Sequence, residues 1–136
     1  MQTLSRSEND TEKIAQELAK TLSAGNIVLL SGTLGTGKTV FARALIRALA
    51  GDPALEVPSP TFTLLQTYDA PRGTIWHFDL YRIENEEEIY ELGWEDALAE
   101  GIVIVEWPER LESLAPRNAI RITFQSSTEN ERIITL

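Results

Sequence analysis

Between Asn9 and Leu22 the apolar positions Ile14, Leu18 and Leu22, with Ala15 and Ala19 beside them, recur at helical spacing. That pattern predicts an amphipathic helix over 9–22. Asn9 and Glu12 have the spacing of a reciprocal N-terminal cap, with Asn in place of the usual Ser or Thr, and Gly25 is suited to end the helix. The pattern then changes. Residues 26–31 carry four consecutive apolar side chains, Ile27-Val28-Leu29-Leu30, as a strand covered on both faces requires. A glycine-rich stretch leads into a second helix over 38–49, closed by Gly51-Asp52-Pro53.

Downstream, Pro58-Ser59-Pro60-Thr61 is a rigid connector, because each proline fixes its own φ and restricts the residue before it. Residues 62–68 and 74–81 are strand-like, separated by the turn Asp69-Ala70-Pro71-Arg72-Gly73. Asn85 and Glu88 predict a capped, Glu-rich helix from Glu86 to about Leu92. Residues 101–107 form another buried apolar strand. Residues 119–125 and 132–136 flank a polar loop, as in an antiparallel hairpin at a sheet edge. Helices alternating with buried strands predict an α/β three-layer sandwich with a mixed, mostly parallel sheet and a C-terminal β-hairpin. At 136 residues the chain is expected to be a single domain over 1–136.

Composition narrows the function. The chain has 21 acidic against 12 basic side chains, a net charge of −9. Neutralising a nucleic-acid backbone takes a basic stripe, so tight binding of RNA or DNA by this chain alone is not expected. No run approaches the about 18 apolar residues of a membrane span, and the first residues lack the apolar core of a secretory signal. There are no cysteines. Disulfides, thiolate chemistry and Cys-type zinc sites are therefore excluded, and a reducing, cytoplasmic setting is expected.

The most specific chemical signal is Gly32-Thr33-Leu34-Gly35-Thr36-Gly37-Lys38-Thr39, a complete match to G-x-x-x-x-G-K-[ST]. It lies between an apolar strand and an amphipathic helix, as a P-loop must. Glycines let backbone N–H groups wrap phosphate oxygens at close range, and the following helix adds its N-terminal dipole. Lys38 carries positive charge to the outer phosphates, and the Thr39 hydroxyl is positioned for Mg²⁺.

Hydrolysis also needs a carboxylate near the metal and a group that positions water. In an α/β sheet the ligand crevice lies at the carboxyl ends of the strands, which directs attention to acids ending apolar strands. Two qualify: Glu106 after Ile102-Val103-Ile104-Val105, and Asp79 after Trp76-His77-Phe78. Either could hold the metal and the other orient the water; spacing leaves both assignments open. Thr61 stands where switch-type NTPases carry a γ-phosphate-sensing threonine. His77, the one histidine, shares a strand face with Asp79 and Tyr81 and reads as structural. Arg82 could contact phosphate but reads more simply as a surface partner of the acids between Glu84 and Glu91; Trp107 reads as either core or a lid, and Glu86-Glu87-Glu88 as a solvated helix face or, second, a face for a basic partner.

Together with the P-loop, the segments Ser59-Pro60-Thr61-Phe62, His77-Phe78-Asp79-Leu80-Tyr81-Arg82 and Val105-Glu106-Trp107-Pro108-Glu109 occur in the order and spacing of one family. The chain resembles the bacterial tRNA threonylcarbamoyladenosine biosynthesis ATPases of the TsaE (YjeE) family over nearly its whole length. The resemblance implies a weak, Mg²⁺-dependent cytoplasmic ATPase. It implies action with TsaB and TsaD partners in installing threonylcarbamoyl on the adenosine next to the anticodon, with tRNA met only through the complex. By position, Gly35, Thr36, Gly37, Lys38, Thr39 and Val40 would bind the nucleotide, and Thr11 would lie near its adenine or sugar. Thr39 and Glu106 would hold Mg²⁺. Asp79 would serve the metal or the attacking water, and Thr61 would be switch-like.

Three other functions share the P-loop. A small GTPase needs Asp-x-x-Gly and Asn-Lys-x-Asp, and neither follows Asp79 or occurs elsewhere. A small-molecule kinase usually adds a basic lid, absent between Glu84 and Trp94. A nucleotide-dependent interaction module with incidental hydrolysis shares every motif above and differs only in whether an acid orders a water.

Overall fold

The computed structural model describes residues 2–33, 35–128 and 131–136. Leu34 of the glycine-rich loop and the hairpin-loop residues Glu129 and Asn130 lie outside the described residues. Seven strands form one sheet: β1 (Gln2–Ser5), β2 (Ile27–Ser31), β3 (Leu65–Tyr68), β4 (Ile75–Asp79), β5 (Ile102–Glu106), β6 (Ile120–Thr128) and β7 (Glu131–Thr135). Their spatial order is β1-β7-β6-β2-β5-β4-β3. The middle of the sheet is parallel, β6 with β2, β2 with β5 and β5 with β4, and the outer pairings are antiparallel.

The apolar run of β2 is explained by its place beside β5 and β6 with both faces covered. Val28 and Leu30 point into a core shared with α1 (Glu8–Ala19) and α2 (Lys38–Ala50), including Phe41, Leu45, Ile104 and Phe124. Ile27 and Leu29 point to the opposite core, with Phe78, Val103 and Val105. That second core is closed by Ile89 of α3 (Glu86–Glu91), by Trp94 and Ala97 of α4 (Trp94–Glu100), and by Leu111 of the 3-10 helix Pro108–Leu114. The result is helices on both faces of one mixed sheet, the expected three-layer α/β sandwich. Among the described residues no helix is long and apolar enough to cross a membrane.

Several boundaries differ from the sequence expectation, each for a local reason. Helix α1 is capped by Ser7, whose hydroxyl accepts the Asp10 N–H at 3.0 Å, and not by Asn9. It ends at Ala19 with Lys20 as its C-cap, and Gly25 serves instead in the turn before β2, where its N–H donates to the Gly101 carbonyl. The stretch before β3 is a turn, so that strand begins at Leu65 and not at Phe62. Asn85 and Glu88 do form the reciprocal cap on α3. The hairpin does not form the edge. β6 pairs with the central β2, and the edge beyond β7 is taken by β1, a strand that the short polar N-terminus did not announce. Helix α4 is a further element that the sequence pattern does not predict.

Candidate functional site

The ends of β2, β4 and β5 converge on one cleft, as strand carboxyl ends do in this fold. Gly32 follows β2 and sets the loop. Its φ is 150°, and a Cβ there would stand 2.7 Å from the Phe124 carbonyl oxygen and 2.9 Å from Thr36 Oγ1. Only glycine lets the loop pass this close to β6. Gly37, at φ 97°, turns the chain into α2 and leaves that helix without a side-chain cap. The first amides of a helix have no intrahelical acceptor. Here they face the cleft together with the positive end of the helix dipole.

The loop is braced by its own polar groups. Thr36 Oγ1 donates to the Thr33 carbonyl at 2.7 Å, and an Arg132 N–H from β7 donates to the Gly35 carbonyl at 3.2 Å. Lys38, buried to 5% exposure, donates its ammonium to the Gly32 carbonyl. The same ammonium lies 3.3 Å from the centre of the Trp107 ring. Burial lowers the Lys38 pKa from its ordinary value, with the charges of Glu106, Glu109 and Asp79 opposing that shift. An arriving anion would offset the cost of burying this cation.

Asp79 and Glu106 are register partners on the parallel pair β4–β5, both at strand ends and both buried. Glu106 Oε1 accepts from the Thr39 hydroxyl at 3.2 Å. Its Oε2 lies 2.7 Å from His77 Nε2, with side-chain exposures of 1% for the histidine and 3% for the glutamate. An ionised carboxylate only accepts, so His77 donates, and the hydrogen is on Nε2; Nδ1 has no partner among the described residues. Asp79 Oδ2 accepts from the Thr61 hydroxyl at 3.2 Å, and its Oδ1 from the Tyr81 N–H at 3.0 Å. The two acids therefore differ. Glu106 is joined to the P-loop through Thr39, and Asp79 to the 58–61 connector through Thr61.

A cavity of about 470 Å³ runs from this cluster toward the N-terminus. It is lined by Gly35, Thr36, Gly37, Lys38, Thr39 and Val40 at one end and by Ser5, Arg6, Ser7, Glu8 and Thr11 at the other, with Glu106, Trp107 and Arg132 along the side. Thr11 is buried, and its hydroxyl lies 2.7 Å from that of Ser5. Asp79 and Thr61 do not line this cavity.

Three residues read differently in three dimensions. His77, taken from sequence as structural, is bonded directly to Glu106; its alternation with Asp79 on β4 was the only signal. Trp107, at φ 60°, turns its ring over Lys38 and packs it against Tyr81 with centroids 4.8 Å apart, so it covers the site and also borders the second core. Arg82 does not pair with the neighbouring acids; its guanidinium lies 4.9 Å from the centre of the Phe62 ring. Arg132 was missed altogether, because the polar end of a hairpin gives no hint that it folds back on the P-loop.

A hydroxyl and a carboxylate oxygen meeting at one point, Thr39 Oγ1 and Glu106 Oε1, are the donor types that Mg²⁺ prefers. Among the described residues no group of three or more acidic or histidine side chains forms a cage. Mg²⁺ at phosphate sites is commonly held by one or two protein oxygens together with phosphate and water, so the donor set fits.

The family model described as "Threonylcarbamoyl adenosine biosynthesis protein TsaE" matches residues 5–134. A tRNA threonylcarbamoyladenosine biosynthesis protein TsaE of Rickettsia bellii is 43% identical over 135 residues, covering 99% of this chain and 93% of the relative. One of Aquifex aeolicus is 42% identical over 104 residues, covering 76% of this chain and 74% of the relative. The crystal structure of Bacillus subtilus YdiB superposes with a TM-score of 0.77 at 25% identity, covering 98% of this chain and 82% of that one. With a P-loop type nucleotide-binding fold and relatives of this kind along nearly its full length, the chain belongs to the TsaE family of tRNA threonylcarbamoyladenosine biosynthesis.

Proposed function

We propose that this chain, acting as one domain over 1–136, is a Mg²⁺-dependent ATPase, weak alone and stimulated in complex. Its role is to support threonylcarbamoyladenosine formation on tRNA together with TsaB- and TsaD-type partners in the cytoplasm. The observation that carries this reading is the meeting of Lys38, Thr39 and Glu106 at the uncapped start of α2.

The amides of Gly35 to Val40 receive the phosphates, and Lys38 exchanges the Gly32 carbonyl for phosphate oxygen. Thr39 and Glu106 would hold Mg²⁺, which would supply positive charge against the phosphates. His77 fixes Glu106 through Oε2 and so leaves Oε1 directed at Thr39. Asp79 and Thr61 form the pair that serves the metal or orients the attacking water; their mutual hydrogen bond supports a joint role. Thr11, at the far end of the cavity, contacts the adenine or sugar. The missing guanine signature favours ATP over GTP. The net charge of −9 favours a tRNA reached through partners rather than gripped directly.

The test is a pair of variants. Glu106→Ala and Asp79→Ala are expected to lose at least about tenfold in ATP turnover with TsaB and TsaD present, the scale of losing one electrostatic contact in the transition state. ATP affinity should change much less. Full turnover in both variants would show that these are not the working acids.

A further inference from the structure

We propose that Phe62 and Arg82 form a docking anchor for a protein partner that offers an apolar pocket edged by a carboxylate, and that Asp79 couples this anchor to the nucleotide site. This inference rests on the partnership stated above and adds where the partner is gripped and how the grip senses the nucleotide.

Phe62 is 82% exposed, whereas the other exposed large apolar side chains among the described residues lie between 40% and 46%. Its ring is not bare. The Arg82 guanidinium rests over it at 4.9 Å, and among the described residues Arg82 has no carboxylate within ion-pair distance, although five glutamates lie between Glu84 and Glu91. An aromatic ring beside a guanidinium with open donors is the composition of interface hot spots, which work by filling a pocket and pairing a desolvated charge. The open guanidinium calls for a carboxylate on the partner. A nucleic-acid base could also stack on such a pair. A phosphate backbone, however, would have to approach beside those five glutamates on a chain of net charge −9, which favours protein.

The coupling is written in the hydrogen bonds of Asp79. One carboxylate oxygen accepts from Thr61, the residue before Phe62, and the other from the Tyr81 N–H, the residue before Arg82. The Asp79 N–H in turn donates to the Leu64 carbonyl at 3.0 Å, and Leu64 closes the turn by donating to Pro60 at 2.7 Å. Leu64 sits at φ 68°, a conformation a leucine adopts only when its surroundings impose it. One buried carboxylate thus pins both halves of the exposed anchor. From Tyr81 the contacts continue to Trp107 and on to Lys38. Whatever displaces Asp79 or Lys38 when nucleotide binds also displaces Phe62 and Arg82. By reciprocity, a partner that fixes the anchor changes nucleotide affinity by the same factor.

The experiment measures binding to the purified TsaB and TsaD proteins of the same genome by surface-immobilised titration, with and without a non-hydrolysable ATP analogue and Mg²⁺. Phe62→Ser and Arg82→Ala are each expected to weaken partner affinity at least about tenfold. The melting shift that nucleotide induces in Phe62→Ser should equal that of the unaltered protein. The unaltered protein should also bind its partners with different affinity in the two nucleotide conditions, and Asp79→Asn should erase that difference. Partner affinity unchanged in Phe62→Ser overturns the anchor, and no dependence on nucleotide overturns the coupling. Failure of the unaltered protein to bind TsaB and TsaD at all overturns the partnership itself. Retained partner binding with loss of affinity for a labelled single-stranded RNA would assign the surface to nucleic acid instead.

Discussion

Replacing His77 by alanine removes the only side-chain donor on Glu106 Oε2 among the described residues, a 2.7 Å bond between two groups almost wholly buried. Removing the donor to a buried carboxylate oxygen costs about 1–3 kcal/mol, because Oε2 is left without a partner while Thr39 and Lys38 still face the rest of the carboxylate. Unfolding entropy of about 2.1 cal/mol/K per residue gives about 0.3 kcal/mol per degree for a chain of this size. A cost of 3 kcal/mol, at the high end of that range, lowers the melting temperature by about 10 °C. His77→Gln should recover a substantial part of the loss, since a glutamine amide can present an N–H close to the Nε2 position. Calorimetric melting reads the stability, and steady-state ATP turnover reads the orientation of Glu106. In His77→Ala, kcat should fall more than KM rises, with partial recovery in the glutamine variant. A histidine-to-alanine protein melting within about 2 °C of the original, with unchanged kcat, would refute this account of Glu106.

Two further outcomes are expected. Gly32→Ala places a methyl 2.7 Å from the Phe124 carbonyl at a φ of 150°, so overpacking and backbone strain together should cost about 1–3 kcal/mol; chemical denaturation checks it, and an unchanged midpoint would show that the loop can shift away from β6. Bare tRNA should not bind at submicromolar protein and physiological salt, given the net charge of −9; a gel shift without partners would contradict this.

The parts of the fold written as long periodic or wholly apolar runs were readable in advance. Strands β2 and β5 are continuous Ile, Val and Leu segments because both their faces are covered. Helix α2 follows from a glycine-rich loop whose chemistry demands a helix behind it. The C-terminal hairpin was legible as a pair of strands, but its place in the sheet was not. Pairing of β6 with β2 is decided by packing across the whole core, and Gln2–Ser5 joins as a strand only because β7 offers it an edge. Ser7 caps helix α1 by accepting the Asp10 N–H, which places Asn9 inside the first turn rather than at its start.

The site shows the same division. Gly35 to Thr39 are legible because phosphate chemistry constrains consecutive residues. Asp79 and Glu106 are legible as acids that end apolar strands, and they prove to be register partners. Sequence could not distinguish their environments. Only the folded chain brings Thr39 and His77 to one acid and Thr61 and the Tyr81 amide to the other. Arg132 and Trp107 reach the cleft through tertiary contacts that no local pattern encodes.

The central claim is that the uncapped amides at the start of α2, with Lys38, hold the phosphates of ATP. Its most direct measurement is the melting temperature with Mg-ATP at about a hundred times Kd, for the unaltered chain and for Lys38→Ala. Binding at that concentration stabilises the fold by about 2.7 kcal/mol, so the unaltered chain should melt about 9 °C higher, and the variant should show almost none of this shift at the same ATP concentration. No shift in the unaltered chain, or an equal shift in both, would contradict it.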